Sequence, residues 1–374
     1  MTFYKLTRRA MLTAIAGGAA TAVTVSGRTA YAGNSSKIVF GTIPITPVIG
    51  SYVGTVDYFK DEGLEVEIKR FNNFAPILQA MAAGNLVAAD IGIVASIIAL
   101  NRGLPIIAPF LSAFNTPSHP LERIMVLPNS PIRTLDDLKG KKLAYLGRGT
   151  VPDMMLGALP KKTKIRKEDI ELVPLPAPNM PDALAQGLVD AIFAIPPADT
   201  VAERKYHART IADATELVPY AGLSTVAVRR NFAENNPEAA QKLYRALIRF
   251  CRWIDDNPSD AREAAARNLG LPTDLAAEMR IPPFSRNGLP VMPNVWNLYA
   301  MMVEANTIER HPDPASLFNA GIIEPTKHIV LPVVEKLGLQ SDPDMQAMLT
   351  GDYPFLTEPP QNYSAGWEQR LPKS

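Results

Sequence analysis

The apolar positions of residues 37–110 follow two alternating periods, the period of a strand and the period of a helix. Short apolar or alternating runs predict strands at residues 37–42, 64–71, 89–94 and 106–110. Helical spacing between these runs predicts helices at residues 52–63, 75–83 and 95–102. Strands that alternate with helices form parallel sheets covered on both faces, so this part of the chain predicts an α/β layer.

The same order of elements repeats further along the chain. Apolar runs predict strands at residues 142–146, 170–173, 191–195 and 210–212. Helical spacing predicts helices at residues 151–159, 182–186 and 198–206. The two halves also share a local pattern, since AMAAG at 80–84 and ALAQG at 183–187 each end a helix at a glycine. The repetition predicts two doubly wound α/β lobes.

Beyond residue 225 the pattern changes to one strand followed by long helices. The strand is predicted at 225–229, and the helices at 237–256, 259–268 and 294–306. We expect the chain to cross between the lobes twice, near residues 122–127 and 224–229, which makes a hinge. The predicted domains are lobe one, residues 33–122 together with 226–374 and its additional C-terminal helices, and lobe two, residues 123–225.

The N-terminal 32 residues are predicted to be an export signal that is removed. The segment TRRAML at residues 7–12 resembles a twin-arginine motif, a weakly apolar stretch follows at 12–25, and AYA at 30–32 is an A-x-A cleavage site. With no cysteine near that site to carry a lipid, we expect a soluble periplasmic protein cleaved after Ala32.

Composition excludes several classes of protein. Removal of the four cations in residues 1–32 changes the formal net charge from +1 to −3, and no basic cluster of the kind that binds nucleic acid is present. No apolar run approaches the ~20 residues of a membrane-spanning helix. The lone Cys251 excludes an internal disulfide and any multi-thiolate metal site. No cofactor or metal is expected.

Four segments of the mature chain resemble one family of proteins. They are YFKDEGLEV at 58–66, SPIRTLDDLKGKKLA at 130–144, AQGLVDA at 185–191, and a long helix between NPE at 236–238 and WIDDNP at 253–258. Together they resemble the sulfonate-, nitrate- and taurine-binding solute-binding proteins, a group that includes thiamine-pyrimidine binders. The spacing from Gly84 to Asp90 is longer than in that family, and the last hundred residues match less clearly.

This resemblance implies a type II periplasmic binding protein fold and a small-molecule ligand held between the lobes. It further implies a monomer that works with the permease of an ABC importer in the inner membrane. It leaves the ligand open, since the family binds sulfonates, nitrate, carboxylates and pyrimidines.

The loop LGRGT at residues 146–150, between a predicted strand and helix, is the strongest candidate for ligand binding. Gly149 allows close approach of the backbone, and a helix N-terminus offers unpaired N–H donors. Arg148 can donate two hydrogen bonds to a carboxylate or sulfonate, and Thr150 can add its hydroxyl. The alternative is a tight turn in which Thr150 caps its own helix and Arg148 faces solvent.

Further candidates follow other predicted strands, because ligands of open α/β sheets bind at the carboxyl ends of the strands. All of them lie in a predicted loop or at the start of a predicted helix. In lobe one the candidates are Ile45, Thr46, Asn72, Asn73, Phe74 and Ser96, and in lobe two they are Pro196 and Tyr220. Asn72 and Asn73 have an alternative role, which is to form a turn. Tyr220 has the alternative of a position in the hydrophobic core.

We therefore expect a binding protein for a small organic anion and not an enzyme. The four histidines are scattered, and neither a G-x-S-x-G elbow nor a P-loop is present. Two alternatives stay open: a neutral pyrimidine or related heterocycle as the ligand, or a ligand-binding input protein for a membrane sensor. A pyrimidine-synthase-like enzyme would need a cysteine-rich iron-binding segment, which one cysteine cannot supply.

Overall fold

Two five-stranded sheets organise the protein in a computed structural model that describes residues 37–115, 120–218 and 221–339. The strands, in chain order, are β1 (Lys37–Thr42), β2 (Glu65–Arg70), β3 (Ala88–Gly92), β4 (Ile106–Asn115), β5 (Arg123–Val126), β6 (Lys142–Tyr145), β7 (Glu171–Pro174), β8 (Ala191–Ala194), β9 (Arg209–Asp213) and β10 (Ala221–Arg229). The predicted export signal at residues 1–32 and the candidate Tyr220 lie outside the described residues.

The first sheet has the strand order β2-β1-β3-β10-β4. β1 pairs in parallel with β2 and β3, whereas β10 runs antiparallel between β3 and β4. β3, inside the sheet, and β4, at its edge, are both buried along their length, which explains why 88–92 and 106–115 do not alternate between apolar and polar residues. The prediction of a purely parallel sheet is wrong in this one strand, which returns from the second half of the chain.

The second sheet repeats the arrangement in the order β7-β6-β8-β5-β9. β6 is parallel to β7 and β8, and β5 is antiparallel to β8 and β9. The chain leaves the first sheet after Asn115 and returns to it at Ala221. Each sheet therefore receives one antiparallel strand next to a crossing. The domain bounds drawn from the sequence stay a prediction.

Helices cover the sheets and continue beyond them. In chain order they are α1 (Tyr58–Asp61), α2 (Phe74–Ala82), α3 (Ile93–Asn101), α4 (Val151–Leu156), α5 (Met180–Ala185), α6 (Ala198–Tyr206), α7 (Arg230–Asn235), α8 (Pro237–Asp256), α9 (Pro258–Leu269), α10 (Thr273–Ala276), α11 (Met292–Glu304), α12 (Pro314–Phe318) and α13 (Leu331–Lys336). Two π-helical turns, Asn319–Ile323 and Thr326–Val330, lie between α12 and α13. The C-terminal helices predicted at 237–256, 259–268 and 294–306 are thus present, with small shifts at their ends.

The helix predicted at 52–63 is much shorter in the structure, where it covers only Tyr58–Asp61. The chain forms a single 3₁₀ turn at Ile49–Ser51 and then the four-residue helix α1. The Ile49 N–H donates to the buried Asp90 carboxylate at 2.5 Å, and the Tyr52 hydroxyl donates to the Thr46 carbonyl at 2.8 Å. The Asn268 side chain of α9 donates to the Ser51 carbonyl at 3.0 Å and to the Val53 carbonyl at 2.8 Å. These long-range hydrogen bonds hold the backbone around residues 51–53 in a loop and outweigh the local helical spacing.

The segment after α10 packs against the first sheet and then bridges both sheets. Its backbone bonds to β4, where the Leu111 N–H donates to the Gly288 carbonyl at 3.1 Å and the Phe114 N–H to the Pro283 carbonyl at 3.1 Å. α11 then contacts α3 and β10 on one side and α4 on the other. Lys161 and Glu304 form an ion pair at 3.3 Å along that contact. The C-terminal region therefore reaches the boundary between the two sheets.

Candidate functional site

Two loops at the carboxyl ends of strands touch each other across the boundary between the sheets. The Thr46 N–H, after β1, donates to the carbonyl of Pro196, after β8, at 2.9 Å. The Thr46 hydroxyl donates to the Arg280 carbonyl at 3.1 Å, and Thr46 is fully buried. Pro196 and Pro197 are joined by a cis peptide bond. Thr46 and Pro196 therefore make the contact between the two halves directly.

A second pair of loops is separated by a cavity of about 630 Å³. The cavity is formed by the loop after β2, one face of α3, the loop after β6 and the start of α4. Its lining consists of Asn73, Phe74, Ala75, Leu78, Ala95, Ile98, Arg102, Leu146, Gly147, Arg148, Gly149, Thr150, Asp153, Pro174 and Thr307. Residues from both sheets and from the C-terminal region thus share one cleft, which we call the outer cavity.

The structure brings five of the sequence-predicted residues together around the outer cavity: Asn73, Phe74, Arg148, Gly149 and Thr150. Asn73 also caps α2, since its side-chain oxygen accepts from the Ala75 N–H at 3.2 Å. The role of these residues in ligand binding stays a prediction.

The other candidates lie elsewhere. Asn72 is exposed and does not line the outer cavity. Ser96 is buried within α3, where its hydroxyl donates to the Ile93 carbonyl at 2.7 Å. Ile45 lines a smaller chamber, described below.

The loop at 146–150 satisfies its own hydrogen-bonding groups. The Thr150 hydroxyl donates to the Gly147 carbonyl at 2.7 Å and accepts from the Asp153 N–H at 3.4 Å. The Asp153 carboxylate accepts from the Gly149 N–H at 2.9 Å and is paired with Lys167. The expectation of unpaired N–H donors in this loop is wrong at Gly149, because a carboxylate in the first turn of α4 already occupies the positive end of the helix.

Arginines from both sides supply the positive charge of the outer cavity. Arg148 follows β6 and Arg102 follows α3, so each sheet contributes one guanidinium. Within the described part of the chain, no carboxylate forms an ion pair with either of them. Asp153 also lines the cavity, but Lys167 balances its charge. The outer cavity is therefore a cationic space with apolar walls at Phe74, Leu78 and Ile98.

A second space of about 10 Å³ lies deeper between the sheets, and we call it the inner chamber. Its lining consists of Ile45, Pro47, Phe74, Glu122, Leu146, Val151, Pro152, Ile195, Leu223 and Ser224. Phe74 and Leu146 line both spaces and so form the wall between them. The lining comes from both sheets, so the volume of the chamber depends on how closely the two halves approach.

Glu122 is the ionisable group of the inner chamber. Its side chain is fully buried, and burial raises its pKa to about 8. Oε2 accepts from the Asn115 side-chain amide at 3.4 Å, while Oε1 has no hydrogen-bond partner among the described residues.

Sequence reasoning missed Glu122, Arg102 and Thr307 as cleft residues. Glu122 carried a usable signal, because it is an acid at the start of a predicted crossing between the lobes. Arg102 and Thr307 carried none, since they reach the cleft through the packing of α3 and α11.

No group of three or more His, Cys, Asp or Glu side chains is arranged for metal binding within residues 37–115, 120–218 and 221–339. In the same ranges, no helix combines the length and apolar character that crossing a membrane requires.

Two proteins of Escherichia coli (strain K12) are similar to this chain in sequence. The taurine-binding periplasmic protein is 26% identical over 193 residues, 51% of this chain and 58% of that protein. The putative aliphatic sulfonates-binding protein is 25% identical over 201 residues, 54% of this chain and 61% of that protein. The chain thus spans less than two thirds of the length of either relative.

Solved structures of periplasmic binding proteins share the fold. The alkanesulfonate-binding protein of Xanthomonas axonopodis pv. citri, bound to MOPS, has a TM-score of 0.64 at 18% identity and covers 80% of this chain and 97% of its own. The periplasmic nitrate-binding protein of Synechocystis PCC 6803 has a TM-score of 0.69 at 12% identity and covers 81% of this chain and 89% of its own. The predicted type II periplasmic binding protein fold is confirmed.

The family model described as "NMT1/THI5 like" matches residues 46–261, which run from the loop after β1 to the start of α9 and include the strands β2 to β10. Because that match covers more than half of the chain, this protein belongs to the NMT1/THI5-like family.

Proposed function

We propose that this protein captures a small organic anion, a sulfonate or carboxylate, between its two halves and delivers it to the permease of an ABC importer. One observation carries the proposal: Arg102 and Arg148 approach the same cavity of about 630 Å³ from opposite sheets. Guanidinium groups donate paired hydrogen bonds that match the oxygens of carboxylates and sulfonates. The sulfonate and taurine ligands named for the relatives agree with this chemistry.

Ligand capture in this scheme is coupled to closure of the two halves. An anion held by Arg148 from one side and by Arg102 from the other interacts with both arginines only when the halves are close. The ligand therefore stabilises the closed state by its differential affinity. Phe74, Leu78 and Ile98 supply the apolar surface for the body of an organic ligand.

Replacement of Arg148 by Ala is expected to weaken an anionic ligand at least tenfold, since a charged hydrogen bond contributes about 1.5–3 kcal/mol. A thermal-shift screen of sulfonates, aliphatic and aromatic carboxylates, nitrate and pyrimidines identifies the ligand. Calorimetry then measures the affinity of that ligand for the natural protein and for Arg148→Ala.

The matched control is Arg133→Ala, which removes an exposed arginine of the second half outside the outer cavity. If the screen yields only neutral pyrimidines, or if Arg148→Ala binds as tightly as Arg133→Ala, the anion site assigned to Arg148 is wrong.

We further propose export to the periplasm by the twin-arginine route, with removal of residues 1–32. Support comes from the motif at residues 7–12 and from the periplasmic location named for the relatives. Replacement of both Arg8 and Arg9 by Lys is expected to leave an uncleaved precursor in the cytoplasm, because the translocase reads the arginine pair. Fractionation followed by N-terminal sequencing measures this. Normal cleavage after Ala32 in the Lys-Lys variant would show a different route.

A further inference from the structure

A third space adjoins the outer cavity on the side of the second sheet, and we call it the side cavity. It has a volume of about 850 Å³, and its walls come from β6, β7, α4 and the end of α11. Arg148, Asp153 and Thr307 line both spaces, so the two cavities meet at these residues. Phe74 and Leu146, which separate the outer cavity from the inner chamber, are buried, whereas Arg148 is exposed. The border between the outer cavity and the side cavity therefore lies at the surface, where one ligand can reach into both.

Ion pairs occupy two of the cations that line the side cavity. Lys161 pairs with Glu304 at 3.3 Å, and Lys167 pairs with Asp153. Arg166 also lines the side cavity and is exposed, and it forms no ion pair with any residue in the described ranges. The Arg166 guanidinium group is therefore available to donate hydrogen bonds to a ligand.

Positive charge is in excess across the two adjoining cavities. The cationic side chains that line them are Arg102, Arg148, Lys161, Arg166 and Lys167. The acidic side chains that line them are Asp153, Glu168 and Glu304, of which Glu168 is exposed and has no ion-pair partner among the described residues. The cations outnumber the acids by two. A ligand with two negative charges therefore brings the lining to neutrality, whereas a ligand with one negative charge does not.

Apolar side chains form the buried surface of the side cavity. Tyr145, Met154 and Ile170 are buried, and Leu172 and Met301 are half-buried. A hydrocarbon segment gains free energy when it covers such a surface. The apolar surface and the two available arginines together indicate a ligand with a hydrocarbon middle and an anionic group at each end.

We propose that the ligand is an organic dianion that spans both cavities, with one anionic group at Arg102 and Arg148 and the other at Arg166. This inference rests on the proposed function, because it presupposes that the first anionic group is bound at Arg148. Guanidinium groups donate paired hydrogen bonds to carboxylates and sulfonates at either end. Because both groups belong to one molecule, the second contact adds affinity without a second loss of translational freedom.

The test uses pairs of compounds that share a skeleton and differ in the second anionic group: hexanoate with hexanedioate, octanoate with octanedioate, and benzenesulfonate with benzene-1,3-disulfonate. Calorimetry at pH 7 measures each compound for the natural protein and for Arg166→Gln. The matched control is Arg133→Gln, which changes another exposed arginine of the second half that lines neither cavity.

In at least one pair, the dianion is expected to bind the natural protein and Arg133→Gln about fivefold or more tightly than the monoanion does, since it gains a charge-assisted hydrogen bond. Arg166→Gln is expected to reduce that preference to less than about twofold and to keep the affinity for the monoanion within about twofold of the natural value.

A bulky side chain in the side cavity gives an independent test. Ala305 is the exposed C-cap of α11 and lines the side cavity, whereas Ala83 is the exposed C-cap of α2 and lines neither cavity. Ala305→Trp is expected to weaken the preferred dianion about fivefold or more and to leave its monoanion partner within about twofold, because only the dianion needs the filled space. Ala83→Trp is expected to change neither affinity.

Equal affinity for the two members of every pair in the natural protein overturns the dianion site, and it leaves the proposed function intact if the monoanions still bind. A preference for the dianion that persists in Arg166→Gln, or a dianion affinity that Ala305→Trp does not lower, also overturns the site in the side cavity. Absence of binding by all six compounds, together with failure of the wider anion screen, overturns the proposed function and this inference with it.

Discussion

Gly288→Ala is expected to lower the free energy of unfolding by about 3 kcal/mol, combining about 1 kcal/mol of backbone strain with an overpacking term of about 1–3 kcal/mol. Gly288 has φ +73°, and a Cβ added there would lie 2.1 Å from Cε2 of Phe110. Phe110 belongs to β4, is fully buried and stacks on Tyr244 of α8 with ring centroids 5.7 Å apart. The ring cannot move aside without disturbing the core between β4 and α8.

Gly270→Ala is the matched control for this prediction. Gly270 ends α9 with a similar φ of +68°, and no atom lies within 4 Å of an added Cβ. Gly270→Ala is expected to lower the free energy of unfolding by only about 1 kcal/mol, which is the cost of placing alanine at a positive φ. Urea unfolding of the two variants and the natural protein measures the difference. An equal decrease in the free energy of unfolding of both variants would show that Phe110 moves to accommodate the added methyl group. The prediction of overpacking at Gly288 would then be wrong.

Arg123→Met is expected to destabilise the protein by about 3–5 kcal/mol at pH 8, because it removes the buried one of the two cations beside the buried Asp199 carboxylate. The Arg123 side chain is 4% exposed and lies 3.7 Å from the Asp199 carboxylate and 2.5 Å from that of Glu203. Asp199 is fully buried, and its other cation, Arg280, lies 3.8 Å away. Methionine keeps much of the volume and removes the charge.

The loss should depend on pH in a defined direction. Burial raises the pKa of Asp199 to about 6 against the opposing effect of Arg123, so removal of Arg123 raises that pKa further. A folded-state pKa above the unfolded value means that stability is retained at low pH and lost as the pH rises through the folded pKa. The deficit of Arg123→Met is therefore expected to be smaller at pH 5 than at pH 8.

A second substitution tests the cause of that deficit. Asp199→Asn in the Arg123→Met background replaces the carboxylate by a neutral amide, and it is expected to recover part of the lost stability at pH 8. Thermal unfolding of the single and double variants at both pH values provides the comparison. A deficit that does not change with pH and is not relieved by Asp199→Asn would mean that Arg123 acts through packing alone.

Strong local signals made the long elements predictable from the sequence. The helix at Pro237–Asp256 has the predicted bounds, because twenty residues of helical spacing are enclosed by Asn236-Pro237 and Asn257-Pro258. α6 at Ala198–Tyr206 is likewise as predicted. The helix predicted to begin at residue 52 does not begin there, because the Ser51 and Val53 carbonyls accept from Asn268, which is distant in sequence.

The loop at 146–150 shows how far local chemistry can identify a site. Its glycines and its position after a strand correctly indicated a wall of the outer cavity. The same reasoning assigned its N–H donors to a ligand, whereas the Asp153 carboxylate, in the first turn of α4, accepts from the Gly149 N–H.

The residue pattern alone predicted most of the strands and helices in their order, the repetition of an α/β half and the resemblance to a family of solute-binding proteins. Periodicity reports which face of an element is buried, but it does not report which element covers that face. The folded chain was needed to show that β5 and β10 insert antiparallel, that Thr46 contacts Pro196, and that Arg102 and Glu122 face the cleft. Each of these facts depends on contacts between segments far apart in the chain, whose pairing is set by how the whole core packs.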